Sequence, residues 1–235
     1  IRVFKIENKK YKNFYKSYFF NKKFNLPFIS AKIAISKDYY SINKKSKWIT
    51  NKHSQRLVHL LRSKNDCIFS TSKSINKDNS LLNCRIDGLN NLKPDLFIID
   101  INLKLKNSLS INYQTNKRKI FLITSKNNKK KINFLRKKGF KIIIIKSLNS
   151  KNDFNKIFKY VYKLGYCRVF FESGITFLNS LLKYKLINNL YIFKTNKMLK
   201  KNGLNNSSSK YLKKITLNKK AIINLNNDSL YIKEF

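Results

Sequence analysis

Residues 168–178 read Arg-Val-Phe-Phe-Glu-Ser-Gly-Ile-Thr-Phe-Leu. The run 168–171 fits a short buried strand. Glu172-Ser173-Gly174 is a turn of small and polar residues, and residues 175–184 carry apolar side chains at helical spacing. A strand that passes through a tight turn directly into a helix is the unit of an α/β sheet. The arrangement also has a chemical consequence. The first helix amides and the helix dipole converge on one spot, which suits an anion, and Gly174 lets a phosphate approach the backbone. Glu172 is the odd member, because a phosphate repels a carboxylate unless hydroxyls or amines donate to it. The chain has only three Glu: Glu7, Glu172 and Glu234. The plainer reading is an ordinary strand-to-helix loop with a carboxylate favoured by the dipole.

The same alternation extends in both directions. Apolar runs predict strands over 28–36, 67–71, 96–100, 120–124, 141–145 and 190–193. A helix is expected over 50–62, with Thr50 as N-cap and Leu57, Leu60 and Leu61 on one face. Another is expected over 151–164, with Phe154, Ile157 and Val161 at helical spacing and Gly165 just beyond its end. Residues 221–225 and 230–235 flank Asn226-Asn227-Asp228, which reads as a hairpin. By composition, 74–85 is a polar surface loop and 202–210 a mobile loop. Residues 1–25 are rich in Lys and aromatics and read as a lead-in, with one domain over 26–235.

The chain has 235 residues and a formal charge of +41. Hydrophobic residues make up 42%, enough for a sizeable core, so a disordered chain is excluded. Of the 52 basic residues only 7 are Arg, and the Lys are spread along the whole chain. A nucleic-acid reader would favour Arg, whose planar fork suits phosphates and base edges. Charge alone therefore makes a nucleic-acid partner the lesser expectation, though the field still attracts anionic ligands. Three Cys without C-x-x-C spacing point to a reducing compartment, and zinc is not expected. No apolar run is long enough to cross a bilayer and nothing reads as a secretory signal, so a cytoplasmic protein is expected.

Three further constellations carry chemistry. Ser46-Lys47-Trp48-Ile49-Thr50 brings the only Trp to a loop before a helix, where its ring either walls a pocket or packs on the first turn. Arg62 ends that helix; it answers the helix dipole or, as an Arg among Lys, grips a phosphate with its fork. The segment 74–85 holds Asp78 and Arg85.

In order, the chain shows Pro27-Phe28-Ile29-Ser30-Ala31-Lys32-Ile33-Ala34-Ile35-Ser36-Lys37-Asp38, then Ser46-Lys47-Trp48-Ile49-Thr50, then Leu61-Arg62. Ser74 through Asp78 and Leu82 to Arg85 follow, then Ile98-Ile99-Asp100, and finally Phe171-Glu172-Ser173-Gly174-Ile175-Thr176-Phe177-Leu178. This order and spacing resembles the reductase domain of the bifunctional riboflavin-biosynthesis deaminase/reductase. The resemblance implies an α/β, three-layer fold similar to dihydrofolate reductase: a central mixed sheet with helices on both faces. It implies NADPH-dependent reduction of 5-amino-6-(5-phosphoribosylamino)uracil at the sugar C1′. Ser46, Arg62, Leu82, Arg85 and Glu172 would then contact substrate. Ala34, Trp48, Ser74, Asp78 and the stretch Gly174, Ile175, Thr176, Phe177, Leu178, Asn179 and Ser180 would contact NADPH. Glu172 and Asp78 are the candidate proton carriers. A homodimer is expected, as is a deaminase domain or subunit as partner, because the zinc motifs H-x-E and P-C-x-x-C are absent here. An inactive domain that only supports a deaminase is the alternative, beside the basic nucleic-acid binder. The sequence departs from the pattern at Tyr39 (for Gly), Asn79-Ser80 (for Asp-Pro), Ser74 (for Thr), Ile101 (for Ser) and Ser173 (for Gly).

Overall fold

The computed structural model describes residues 9–206, 212, 215 and 220–235. Its framework is a nine-stranded sheet. Seven strands run parallel: β1 (Phe28–Ile35), β3 (Cys67–Thr71), β4 (Asp95–Ile99), β5 (Ile120–Thr124), β6 (Lys141–Ile144), β7 (Arg168–Glu172) and β8 (Asn189–Thr195). β11 (Asp228–Glu234) is antiparallel to β8, and β10 (Ile223–Asn224) closes that edge, giving the order β10-β11-β8-β1-β7-β3-β4-β5-β6. A separate ribbon pairs β2 (Tyr40–Asn43) with β9 (Gly203–Asn206).

Parallel strands read as continuous apolar runs because both of their faces are covered. On β4, Phe97 and Ile99 face α6 (Lys151–Lys163) and α7 (Ile175–Lys183), whereas Leu96 and Ile98 face α4 (Ser72–Asp78) and α5 (Lys129–Lys137). α3 (Lys52–Ser63) covers the second face further along, with Val58 on Phe170, Phe193 and Leu230. Helices therefore lie on both faces of a mixed sheet, the three-layer architecture that the resemblance implied. Phe69, Phe97 and Phe121 stack across three neighbouring strands at centroid distances of 4.7 and 4.3 Å, and this ladder fixes the register.

Several elements depart from the sequence reading. The N-cap of α3 is Asn51, not Thr50: its side chain accepts from the Ser54 amide, and its own amide donates to Asp228 Oδ2 at 2.7 Å. The hairpin therefore dictates where the helix starts. That hairpin turns on Asn226 (φ +48) and Asn227 (φ +69), with Asp228 already in β11; two left-handed residues suit the twist of a two-residue loop. The stretch 74–85 is not a polar surface loop throughout. It opens inside α4, and Ile75, Leu82 and Cys84 are buried. The expected mobile loop 202–210 begins as β9, and residues 207–210 lie outside the described residues. α5, β2 and β9 were not predicted.

Ahead of β1, α1 (Lys9–Phe14) and α2 (Lys16–Phe24) occupy most of the lead-in. Asn21 of α2 donates to the carbonyls of Leu26 and Cys167, and Ser17 accepts from Arg168 Nε. Among the described residues no helix is long and apolar enough to cross a membrane.

Candidate active site

The carboxyl ends of β1, β3 and β7 meet at a cleft of about 790 Å³, the place where open α/β sheets bind ligands. One wall is the start of α7. The helices α3, α4, α5 and α6 each receive a side-chain cap, from Asn51, Thr71, Asn128 and Ser150. At α7 the N-cap is Gly174 (φ −66, ψ 162), which has no side chain to cap with. A Cβ placed on Gly174 would meet only Ser74 Oγ, at 3.9 Å, so protein packing does not demand a glycine there. The bare end opens into the cleft between Ser74, Lys73 and Lys77, and suits an anion.

The floor is ionic. Glu172 ends β7, and its carboxylate takes two bonds from Arg62: Nε to Oε1 at 2.5 Å and a terminal nitrogen to Oε2 at 3.0 Å. Both side chains are nearly inaccessible, at 11% and 8% exposure. Burial pushes the Glu172 carboxyl up, but the Arg62 charge and hydrogen bond, then Lys32 and His59, outweigh it and leave it below the usual carboxylate range. Lys32 stands opposite Glu172 in the β1–β7 register and lines the cleft. Burial, opposed by Glu172 and reinforced by Arg62, lowers its ammonium below the usual lysine range.

Beyond α4 the segment 81–85 has neither helix nor strand. The remaining terminal nitrogen of Arg62 donates to the Asn83 carbonyl at 2.9 Å. Arg85 is exposed; its side chain donates to Asn83 Oδ1, and its amide donates to His59 Nδ1 at 3.1 Å. Burial, then the Arg62 and Arg85 charges, hold the His59 imidazole down to about 4.

Of the residues singled out from sequence, Ala34, Ser46, Ser74, Asp78, Glu172, Gly174, Ile175, Thr176, Phe177 and Ser180 line the cleft. Trp48 does not line it: it is 54% exposed, with Lys47 over its ring. Leu178 points into the core, Asn179 lies off the cleft, and the Leu82 side chain is buried among the residues under α4 and α5. Arg62 directs its fork at Glu172 rather than into open space. The puzzle of a carboxylate beside an anion site thus has an answer inside the chain. Asp100, beyond β4, is buried and accepts from Ser72 Oγ and the Lys104 and Leu105 amides, so it is not available to a ribose hydroxyl. Tyr39 adopts φ +66, a left-handed conformation that a glycine would take freely.

The sequence reading missed Lys32 as a site residue, although a lone charge inside the apolar strand Phe-Ile-Ser-Ala-Lys-Ile-Ala-Ile is a visible signal. It also missed His59 and Arg118, which have no local signal.

A family model described as the RibD C-terminal domain matches residues 27–224. The 5-amino-6-(5-phosphoribosylamino)uracil reductase of Buchnera aphidicola subsp. Acyrthosiphon pisum is 32% identical over 166 residues, 67% of this chain and 78% of that protein. Riboflavin biosynthesis protein RibD of Aquifex aeolicus is 28% identical over 169 residues, 71% of this chain and 46% of that protein. This chain thus spans about half the length of the Aquifex relative. Among solved structures, Acinetobacter baumannii RibD superposes with a TM-score of 0.75 at 16% identity, covering 94% of this chain and 61% of that one. The riboflavin biosynthesis reductase of Saccharomyces cerevisiae gives 0.69 at 18%, covering 96% and 99%. At such identities the structures establish a shared fold. The family match and the Buchnera relative go further, and show that this chain belongs to the RibD C-terminal domain family.

Proposed function

We propose that the chain reduces 5-amino-6-(5-phosphoribosylamino)uracil to its ribitylamino counterpart, the reaction in which the Buchnera relative's name places that protein, and that NADPH is the reductant. The observation that carries this is the cleft itself: a bare, Lys-flanked helix N-terminus on one side and the buried Arg62–Glu172–Lys32 cluster on the other. The first fits a phosphate of a nicotinamide cofactor. With Lys73 and Lys77 nearby and Asp100 occupied, the surface favours the extra phosphate of NADPH over a free ribose hydroxyl.

When bound, NADPH supplies a hydride, which is taken up at the sugar C1′ of the ring-opened imine. The chain's own contribution is positional and electrostatic. Arg62 holds Glu172 ionised and oriented, so that its remaining acceptor capacity meets substrate hydroxyl or amino groups. Lys32, with its lowered affinity for the proton, can release one from Nζ toward the substrate nitrogen, and Asp78 at the cleft mouth is a second candidate. Arg85, exposed beside this cluster, suits the substrate phosphate. This division differs from a shared phosphate grip by Arg62 and Arg85, because every Arg62 nitrogen already has an acceptor.

A deaminase domain or subunit as partner and a homodimer rest on the family resemblance, and a cytoplasmic setting on the free cysteines. One observation favours the basic-surface alternative. On α1 and α2, the exposed Tyr11, Phe14, Tyr15, Tyr18 and Phe19 alternate with Lys, as stacking platforms for single strands do. Oligonucleotide binding that falls steeply with salt would be its signature.

The test is a coupled assay with purified protein, the deaminated pyrimidine substrate and NADPH, following the absorbance of the reduced nicotinamide. Substrate-dependent loss of absorbance is expected. No turnover by folded protein that still binds NADPH would leave the inactive-domain reading in its place.

A further inference from the structure

Resting on the proposed reaction, we infer that Arg118 and His59 are positioning residues for the substrate: together they fix the segment 81–85, which presents its backbone and the exposed Arg85 side chain to the substrate while the Leu82 side chain is buried beneath it.

That segment is irregular, yet polar side chains bond the backbone of Leu81, Leu82, Asn83 and Arg85. Arg118 precedes β5 and is 7% exposed. One terminal nitrogen donates to the carbonyls of Leu82 and Pro94, both at 2.9 Å, and the other donates to the Leu81 carbonyl. The guanidinium therefore ties the strap to the residue that leads into β4. Arg62 holds the next carbonyl, Asn83, and His59 Nδ1 accepts the Arg85 amide. An acceptor Nδ1 is unprotonated, which puts the imidazole proton on Nε2 in the neutral ring.

The strap needs these anchors. Leu82 sits at φ +50, which is unfavourable for a side chain with a Cβ, while that side chain is 5% exposed in the core. Without the Arg118 bonds the residue would relax toward an ordinary conformation, and the Arg85 amide would move with it. Arg118 is also a demanding choice: burial, then the Arg62 charge, hold its affinity for the proton down to about 10. Packing a surface loop requires no buried cation. Presenting fixed backbone and an arginine to a phosphorylated ligand does require a fixed strap.

Two variant pairs test the inference. Arg118→Lys keeps the charge but reaches one carbonyl in place of three. His59→Leu removes the acceptor, whereas His59→Asn keeps one near Nδ1. Hydrogen exchange of the peptide 79–88 reads the strap without needing catalysis. Steady-state kinetics with each ligand varied reads the substrate side. We expect Arg118→Lys and His59→Leu to speed exchange of that peptide and to raise substrate KM about tenfold, the equivalent of one lost hydrogen bond. NADPH KM should stay within about twofold by the same reasoning, and His59→Asn should behave as wild type. Unchanged exchange, or an equal rise in both KM values, would overturn the inference, and if Arg118→Lys fails to fold the His59 pair decides. Should wild type itself be inactive while the strap loosens in the variants, the proposed reaction fails and the substrate role with it, with the anchoring upheld.

Discussion

Two strand-to-helix turns lie side by side in this sheet, since β3 and β7 are neighbours. The turn from β3 into α4 is completed by the protein: Thr71 accepts from the Ser74 amide and caps the helix. The turn from β7 into α7 carries Glu172-Ser173-Gly174, and the helix begins uncapped. Both open on the same cleft. The difference teaches that two neighbouring turns of the same sheet can leave their helix amides in opposite states: those of α4 are met by the chain, and those of α7 are left open to the cleft. Glu172, two residues before Gly174, is tolerated because Arg62 neutralises it from α3.

The largest expected effect comes from breaking that neutralisation. Arg62→Met leaves Glu172 buried without its partner and should cost about 3–5 kcal/mol in chemical denaturation. Glu172→Gln removes the charge opposite Arg62 but keeps one acceptor oxygen for its guanidinium. From sequence, Glu172 had only a helix dipole to answer, worth about 0.3–1 kcal/mol. The ion pair raises the expected loss to about 1.5–3 kcal/mol, together with weakened turnover and unchanged or slightly tighter NADPH binding. Normal turnover by Glu172→Gln would remove the carboxylate from the substrate side.

Exchanging the characters of the two turns sharpens the comparison. Thr71→Ala uncaps α4 and should lower stability by about 1 kcal/mol, with little change in the α7 end. Gly174→Asp does the reverse, adding a few tenths of a kcal/mol by capping α7 while placing a charge where a phosphate should sit.

The smallest effect is one of pH. The His59 proton affinity is depressed in the fold, to about 4, against an unfolded value near 6.5. The folded state favours the neutral ring, so its stability is full above the unfolded value. It is lost as pH falls from there toward 4, because the unfolded chain takes up the proton first. Melting temperatures of wild type should decline across that window more steeply than those of His59→Asn. Parallel declines would show that His59 is not responsible.

How much of this was legible depended on where each signal lies. The strands β3, β4, β5 and β7 were readable because burial on both faces leaves uninterrupted apolar runs such as Cys-Ile-Phe-Ser-Thr and Asp-Leu-Phe-Ile-Ile. α4 was not, because Ser-Lys-Ser-Ile-Asn-Lys-Asp offers one apolar residue to define a period, and Thr71 alone starts it. β2 and β9 are polar ribbon strands whose pairing, Ile42 with Leu204, joins distant parts of the chain. The turn around Gly174 was legible as a strand-to-helix turn, and α7 does start there; the missing cap was not part of that reading. Its ionic floor was not, because Arg62 and Glu172 are 110 residues apart and nothing local to either names the other. Arg118 was invisible for the same reason: its three carbonyl acceptors leave no trace in the side chains that carry them.

The most direct measurement is a pair of titrations on Gly174→Asp, one with NADPH and one with the phosphorylated pyrimidine, each compared with wild type. A bare α7 end that holds the cofactor phosphate predicts NADPH binding weaker by about tenfold or more, since like charges in contact cost over 1 kcal/mol, with substrate binding unchanged. Unaltered NADPH binding, or an equal loss for both ligands, would contradict the assignment of that helix end to the cofactor.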